Sequence, residues 1–441
     1  MMSSELGSSA RSGHIPQRRW LVPVIALAVA IVLWTPALSW GSPDDLVYVE
    51  SNSIAGNSIL AFRNDGSGML SFIGSTPAGG KGVFDPTFAL PPRSGTFDTD
   101  QSVQISSDRR LLFAVNSGSN SVAVFHIYND GSLQAVLDSP FPSGGSQPVS
   151  IGLKGDVLAV ANKDQDPKQN PFVVLPNYTS FRVGDDGGLT PVPGSTVSVA
   201  YFSSPSQALP ASVGGLFFGV DTLGALLHSF RIDEDGRLLQ NPPIAAPNSV
   251  YAGALSFGPH YIIGLQTHPT LPILYAGFTL ANKLGVYHYS VGRGREEEGD
   301  GENGDGGRGG KLSFVRAVAN SGNGICWILL NRAGTRIYTV NTFDNSVSVY
   351  DSTDPLNPTE IQHLHMVDNT GGPSSLALDH SEQFLYVVSQ RLEPFSIPAI
   401  SNAIHVLKVG PDGKLSEAAG SPTPLGPFIN GDTTVQGIAV N

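Results

Sequence analysis

The chain has 441 residues, 40% of them hydrophobic, with 51 glycines, 33 prolines and one cysteine. A formal net charge of −12, with no basic cluster beyond residue 45, excludes nucleic acid and anionic membrane surfaces as partners. The lone Cys326 excludes an internal disulfide, and glycine and proline at this density point to a turn-rich all-β protein.

Residues 1–45 stand apart from the rest. A polar start with Arg11, Arg18 and Arg19 precedes an apolar run from Trp20 to Trp34, and Ala37-Leu38-Ser39 offers small residues where a signal peptidase cuts. The reading is a secretory signal, with secretion expected. An uncleaved membrane anchor is the alternative, because the run extended to Trp40 nearly reaches the ~20 apolar residues that span a bilayer.

From Leu46 onward one unit recurs, and residues 111–133 show it best. Leu111 to Val115 is continuously apolar, as suits a strand covered on both faces. Residues 116–120 supply turn formers, 121–127 a second strand, and Asn129-Asp130-Gly131-Ser132 a hairpin in which Asp and Gly are both expected at positive φ. With six further copies, the unit is anchored on Tyr48, Phe113, Ala159, Phe218, Tyr275, Tyr338 and Tyr386, at intervals of roughly 46 to 65 residues. Most copies follow one more apolar segment, such as 102–105, 148–151 or 375–378, which would be the innermost strand of a four-stranded blade. The first copy has no such segment, yet the chain ends in Val435-Gln436-Gly437-Ile438-Ala439-Val440 with no strand after it. The prediction is an all-β, seven-bladed β-propeller over residues 46–441, closed by the C-terminal strand completing blade one.

Within that ring, residues 292–310 contain no hydrophobic side chain and are expected to be a disordered acidic, glycine-rich insert of blade five. Asn177-Tyr178-Thr179 is a sequon, expected in the loop-rich insertion of blade three, which makes Asn177 the N-glycosylation candidate. Cys326 lies in an apolar run and reads as a buried, inert thiol. His363 and His365 are two apart on a strand and share a face; a solvent-facing pair is the reading, and neither a metal nor a cofactor is expected. His268-Pro269 reads as a turn between the first two strands of blade five. The chain has no Gly-x-Ser-x-Gly, His-Glu-x-x-His, Cys-x-x-Cys or phosphate-cradling loop. Asp98, Asp100, Asp221, Asp379 and His380 are the ionisable groups nearest the blade mouths and read as turn and strand-end residues.

The strands Arg336-Ile337-Tyr338-Thr339-Val340-Asn341 and Leu112-Phe113-Ala114-Val115-Asn116, the Asn-Ser-Val turns at 120–122 and 345–347, and the Asp-Gly-x-Leu hairpins are YVTN-type repeats, which are WD40-like in period. In them the chain resembles the lactonase family of seven-bladed propellers, which includes 6-phosphogluconolactonase and 3-carboxy-cis,cis-muconate lactonizing enzyme. The resemblance covers residues 46–441 and implies an active site at one mouth of the central channel, built from His, Arg and Glu near the inner strands. This chain departs from that pattern at three places. Gly324-Ile325-Cys326-Trp327 stands where the family tends to have Gly-Pro-Arg-His, Thr342 where a Glu is common, and Gln101 where a His aligns. A glutamine transfers no proton near neutral pH, and Cys and Trp do not replace a guanidinium fork.

Two functions of different class follow. In the first, an exported propeller binds a small molecule, glycan or protein at its channel mouth or rim without turnover. Gln101, Gln147, Trp327, Ser374 and Ser375, at the leading ends of inner strands, would line that mouth. In the second, a divergent lactonase or cycloisomerase acts on a non-phosphorylated lactone. A purely structural role would follow if residues 141–147 or the blade three insertion plugged the channel. A monomer is expected throughout.

Overall fold

The computed structural model describes residues 45–83, 101–165, 174–201, 203–251, 261–292, 309–367, 371–390, 402–429 and 433–441. The candidate signal, Asp98, Asp100 and most of the acidic insert lie outside the described residues. No helix among the described residues is long and apolar enough to cross a membrane.

Blade two shows how the sequence builds its unit. The inner strand Val103–Ile105 pairs with Leu111–Asn116, which pairs with Ser121–Ile127, which pairs in turn with Leu133–Ala135. Every residue of Leu111–Asn116 is buried. Both faces of that strand meet a neighbouring blade, so its sequence is continuously apolar rather than alternating. The inner strands of blades three to seven are Pro148–Lys154, Pro205–Pro210, Ile262–Thr267, Ile325–Leu330 and Gly372–Leu378, each beside the next. Blade one takes its inner strand from the end of the chain. Leu46–Glu50 pairs with Gln436–Val440, placing Val47 opposite Val440 and Val49 opposite Ile438. Seven sheets thus form a closed ring, a seven-bladed β-propeller.

The apolar core is divided among the blade interfaces. Leu46 and Tyr48 of blade one pack with Leu112 and Ala114 of blade two, and Val47 and Val49 pack with Tyr386 and Val388 of blade seven. The anchor tyrosines of the repeat also fasten one blade to the next. Tyr48 Oη donates to the Gly131 carbonyl at 3.2 Å, Tyr275 to Pro355 at 2.8 Å and Tyr338 to Gly413 at 3.2 Å, each acceptor lying in the outer hairpin of the following blade. Across the seam, Tyr386 Oη accepts from Asn64 Nδ2 at 2.6 Å and donates to Asp45 at 3.1 Å. Burial pushes the Tyr338 phenol up to about 12, so these bridges keep their protons at any physiological pH.

Three local expectations change. In the hairpin at 128–132 only Gly131 has positive φ, at 88°, while Asp130 Oδ1 accepts the Ser132 N–H at 2.9 Å. The Gly131 N–H bonds the Tyr128 carbonyl and the Tyr128 N–H bonds that of Ser132, so this is a type I turn closed by a glycine bulge. Aspartate contributes here by capping, not by entering the left-handed region. Asn177 begins the strand Asn177–Val183 instead of lying in a loop. It is buried, with its Nδ2 donating to the Leu175 carbonyl and its Oδ1 accepting from Asn162. Phe141–Pro142 pairs with Ser121 and Val122 at the side of blade two, so these residues extend a sheet and do not plug the channel.

Candidate functional site in the central channel

The seven inner strands run in one direction, so the channel has a leading end, where they begin, and a trailing end, where they turn back. Six blades carry a register shift between inner and second strand near the leading end. Such bulges re-aim side chains. In blade six the shift falls between Ile325 and Ile328 and takes in Cys326 and Trp327. Both are buried in the wedge between blades six and seven, in keeping with an inert Cys326.

The channel holds a cavity of about 430 Å³. Its wall comes from blades one, two, five, six and seven and includes Gln104, Gln266, Leu329, Leu376 and Ile438. At the trailing mouth three turns converge, carrying Arg109 of blade two, Arg332 of blade six, and Asp379, His380 and Glu382 of blade seven. Arg109 is exposed with a backbone φ of 61°, and its guanidinium makes no hydrogen bond or ion pair among the described residues. Arg332 Nη2 donates to His380 Nδ1 at 2.7 Å and also to the His380 carbonyl. The positive charges of Arg109 and Arg332 hold the His380 imidazole below its ordinary range. The carboxylates at this mouth are committed elsewhere. Asp379 accepts from Ser381 and from the Phe384 N–H, and Glu382 accepts the Arg332 backbone N–H at 2.5 Å.

The residues expected to line the leading mouth separate into two groups. Gln101 and Ser375 border the cavity. Gln101 Oε1 accepts from Gln207 Nε2 at 3.3 Å, and Gln207 is fixed to blade five through the Leu265 carbonyl at 2.9 Å and N–H at 2.6 Å. Ser374, Gln147 and Trp327 are not in its lining. Ser374 is buried against the Val388 carbonyl, and Gln147 is buried, accepting the Gln165 N–H at 2.6 Å. Trp327 is held away from the channel by the bulge. Asp221, also at this end, accepts from the N–H groups of Ser204 and Gly224.

Arg109 and Arg332 were not singled out in the sequence, and neither was Glu50. Glu50 is wholly buried at the blade position filled elsewhere by Val115, Ala161, Val220, Gly277, Val340 and Val388. Its Oε1 accepts from Asn57 Nδ2 at 2.7 Å while Oε2 has no partner. Burial pushes this carboxyl up to about 8. The signal for all three was positional. Arg109, Arg332 and His380 occupy the same first turn of three blades, and Glu50 breaks an otherwise apolar column.

Outside the channel, the His363 and His365 rings lie 4.6 Å apart, with His363 Nε2 2.8 Å from Ser346 Oγ. Among the described residues no group of three or more His, Cys, Asp or Glu is placed to hold a metal. His268 Nδ1 accepts the N–H groups of Thr270 and Leu271, which fixes its turn.

No protein-family profile matches the chain, and no curated protein sequence does. Solved structures do match. A Bacteroides uniformis protein assigned provisionally as a 6-phosphogluconolactonase is 13% identical, with 91% of this chain and 100% of that one covered at a TM-score of 0.61. A Lactobacillus plantarum protein is 14% identical, with 90% and 99% covered at 0.60. The periplasmic gluconolactonase of Pseudomonas aeruginosa is 18% identical, with 86% and 98% covered at 0.57. At these identities the likeness is one of fold, and it agrees with the ring of seven sheets: this chain is a seven-bladed β-propeller.

Proposed function

We propose that this is an exported propeller that binds a small molecule in its central channel and does not turn it over. The observation that carries the reading is a channel cavity rich in hydrogen-bond donors with no free base among its described lining residues. Hydrolysis of a lactone needs a group to take a proton from water and a donor for the developing oxyanion. Donors are present in the Arg109 and Arg332 guanidiniums and the amides of Gln101, Gln104 and Gln266. Bases are not: with Arg332 donating to Nδ1 of His380, the ring proton sits on Nε2 and the imidazole faces outward as a donor. Asp379 is bonded within its own turn and Glu382 to the Arg332 N–H of blade six. Export follows from the apolar run at 20–34 behind its basic start.

The second reading, a divergent hydrolase of a non-phosphorylated lactone, draws on the gluconolactonase among the structures of the same fold. One experiment separates the two. The chain from residue 41 onward is melted against a panel of lactones, neutral sugars and organic acids, and each compound that raises Tm is then followed for turnover. A ligand at 100 times its Kd adds about 2.7 kcal/mol to stability. Binding without product over hours supports the propeller as a binder; steady lactone hydrolysis overturns that and favours the second reading.

A further inference from the structure

Charged side chains gather at the trailing mouth of the channel, where Arg109 and Arg332 stand beside Asp379 and Glu382. The chain carries a formal −12, yet Arg109 and Arg332 border one cavity and both act on His380. Neither guanidinium forms an ion pair among the described residues, whereas other arginines on the surface do, as Arg110 does with Asp108 at 2.6 Å and Arg182 with Asp156 at 2.8 Å. Two guanidiniums free of ion pairs at one concave site can receive an anion, because the planar fork matches a carboxylate in both charge and geometry, while the neighbouring Asp379 and Glu382 carboxylates are bonded to the Phe384 and Arg332 backbone N–H groups. Behind them the wall turns apolar, with Ile105, Leu329, Leu376, Leu378 and Ile438. The volume of about 430 Å³ lies in the range of small-ligand sites.

Resting on the channel-binding reading above, we infer that the ligand is an organic carboxylate. Its anionic end is held at the trailing mouth between Arg109 and Arg332, and its carbon skeleton lies along the apolar channel wall. Entry is then at the end opposite the leading mouth where Gln101 meets Gln207. Arg332 is pre-positioned by its bonds to His380, while Arg109 is free to close on the ligand. An inorganic anion would engage the guanidiniums but leave the apolar wall unused.

The test uses adipate as an organic dianion, adipamide as its neutral counterpart, and sulfate as an inorganic anion. Binding is read by calorimetry and Tm at constant ionic strength. Adipate is expected to bind, with adipamide and sulfate each at least tenfold weaker. Arg109→Gln and Arg332→Gln are each expected to weaken adipate at least tenfold. Arg109 has no partner to lose, so its variant should fold normally even if Arg332→Gln perturbs its turn. Ala377→Trp, which fills the channel, should abolish binding while Tm without ligand confirms folding. Equal binding of adipamide, equal binding of sulfate, or full affinity in Arg109→Gln overturns the inference. If neutral sugars or lactones bind, are blocked by Ala377→Trp and ignore Arg109→Gln, the inference falls and the channel reading stands. Adipate binding that survives Ala377→Trp removes both, as does silence from every compound.

Discussion

Glu50 is the residue whose chemistry departs furthest from its surroundings. A carboxyl sealed between blades one and two, against Asn57 and Ser102, is kept neutral by the cost of burying its charge. Its folded-state value of about 8 lies above the ordinary 4.5. The folded protein therefore binds more protons than the unfolded chain between those values, and stability is greatest below about 4.5 and declines as pH rises through about 8. Urea titrations at pH 5 and pH 8 should differ by on the order of a few kcal/mol through this group, and Glu50→Gln should remove that difference. A pH dependence unchanged in the variant would show that the carboxyl ionises without penalty. The pair of His405 Nδ1 and Glu417 Oε1, 2.6 Å apart with the imidazole fully buried, behaves in the opposite sense. Burial raises the Glu417 carboxyl, but hydrogen bonds from His405 and Ser421 outweigh it and hold the group below its usual range. Glu417→Ala should cost about 3–5 kcal/mol by leaving His405 buried without this partner, and the double change with His405→Ala should recover part of that. Neither group was legible as special in the sequence. The type of a residue is visible there, but the desolvation that alters its chemistry comes from the packing of strands separated in the chain.

Whole strands were far easier to read. The second strand of each blade is apolar throughout because two neighbours cover it, and its tyrosine recurs because it reaches the next hairpin, so the anchors that set the repeat also join the blades. Tyr338→Phe should lower stability by about 1 kcal/mol in equilibrium unfolding, the net worth of one buried hydrogen bond. Gly131→Ala should cost at least as much. The residue would be held at φ 88°, and the new Cβ would come within 2.6 Å of Ile73 Cδ1. An unchanged midpoint in either variant would count against the interlock between blades. Less was legible where the chain leaves its repeat. Bulges at the leading ends of inner strands decide whether Trp327 or Ser375 faces the channel, and a one-residue offset has no hydrophobic signature. The start of the strand at Asn177 is hard to read because its apolar signal is interrupted by Asn177 and Thr179, which here both accept from Asn162 inside the blade.

At the scale of the molecule, the ring is fastened by Gln436–Val440 against Leu46–Glu50. Deleting residues 433–441 should strip blade one of its inner strand, broaden the unfolding transition and promote association through the bared edge, as seen by calorimetry and light scattering. A sharp, monomeric transition in the truncated chain would mean that six complete blades suffice. The same fastening sets an order in time. During synthesis, blades two to seven can each assemble from neighbouring stretches as they emerge, while blade one must wait for Gln436–Val440 to leave the ribosome. Until then the edge of Leu46–Glu50 has no partner, so the first of the blade strands made is the last to be secured, and a pause before Gln436–Val440 emerges leaves the nascent protein most open to mispairing.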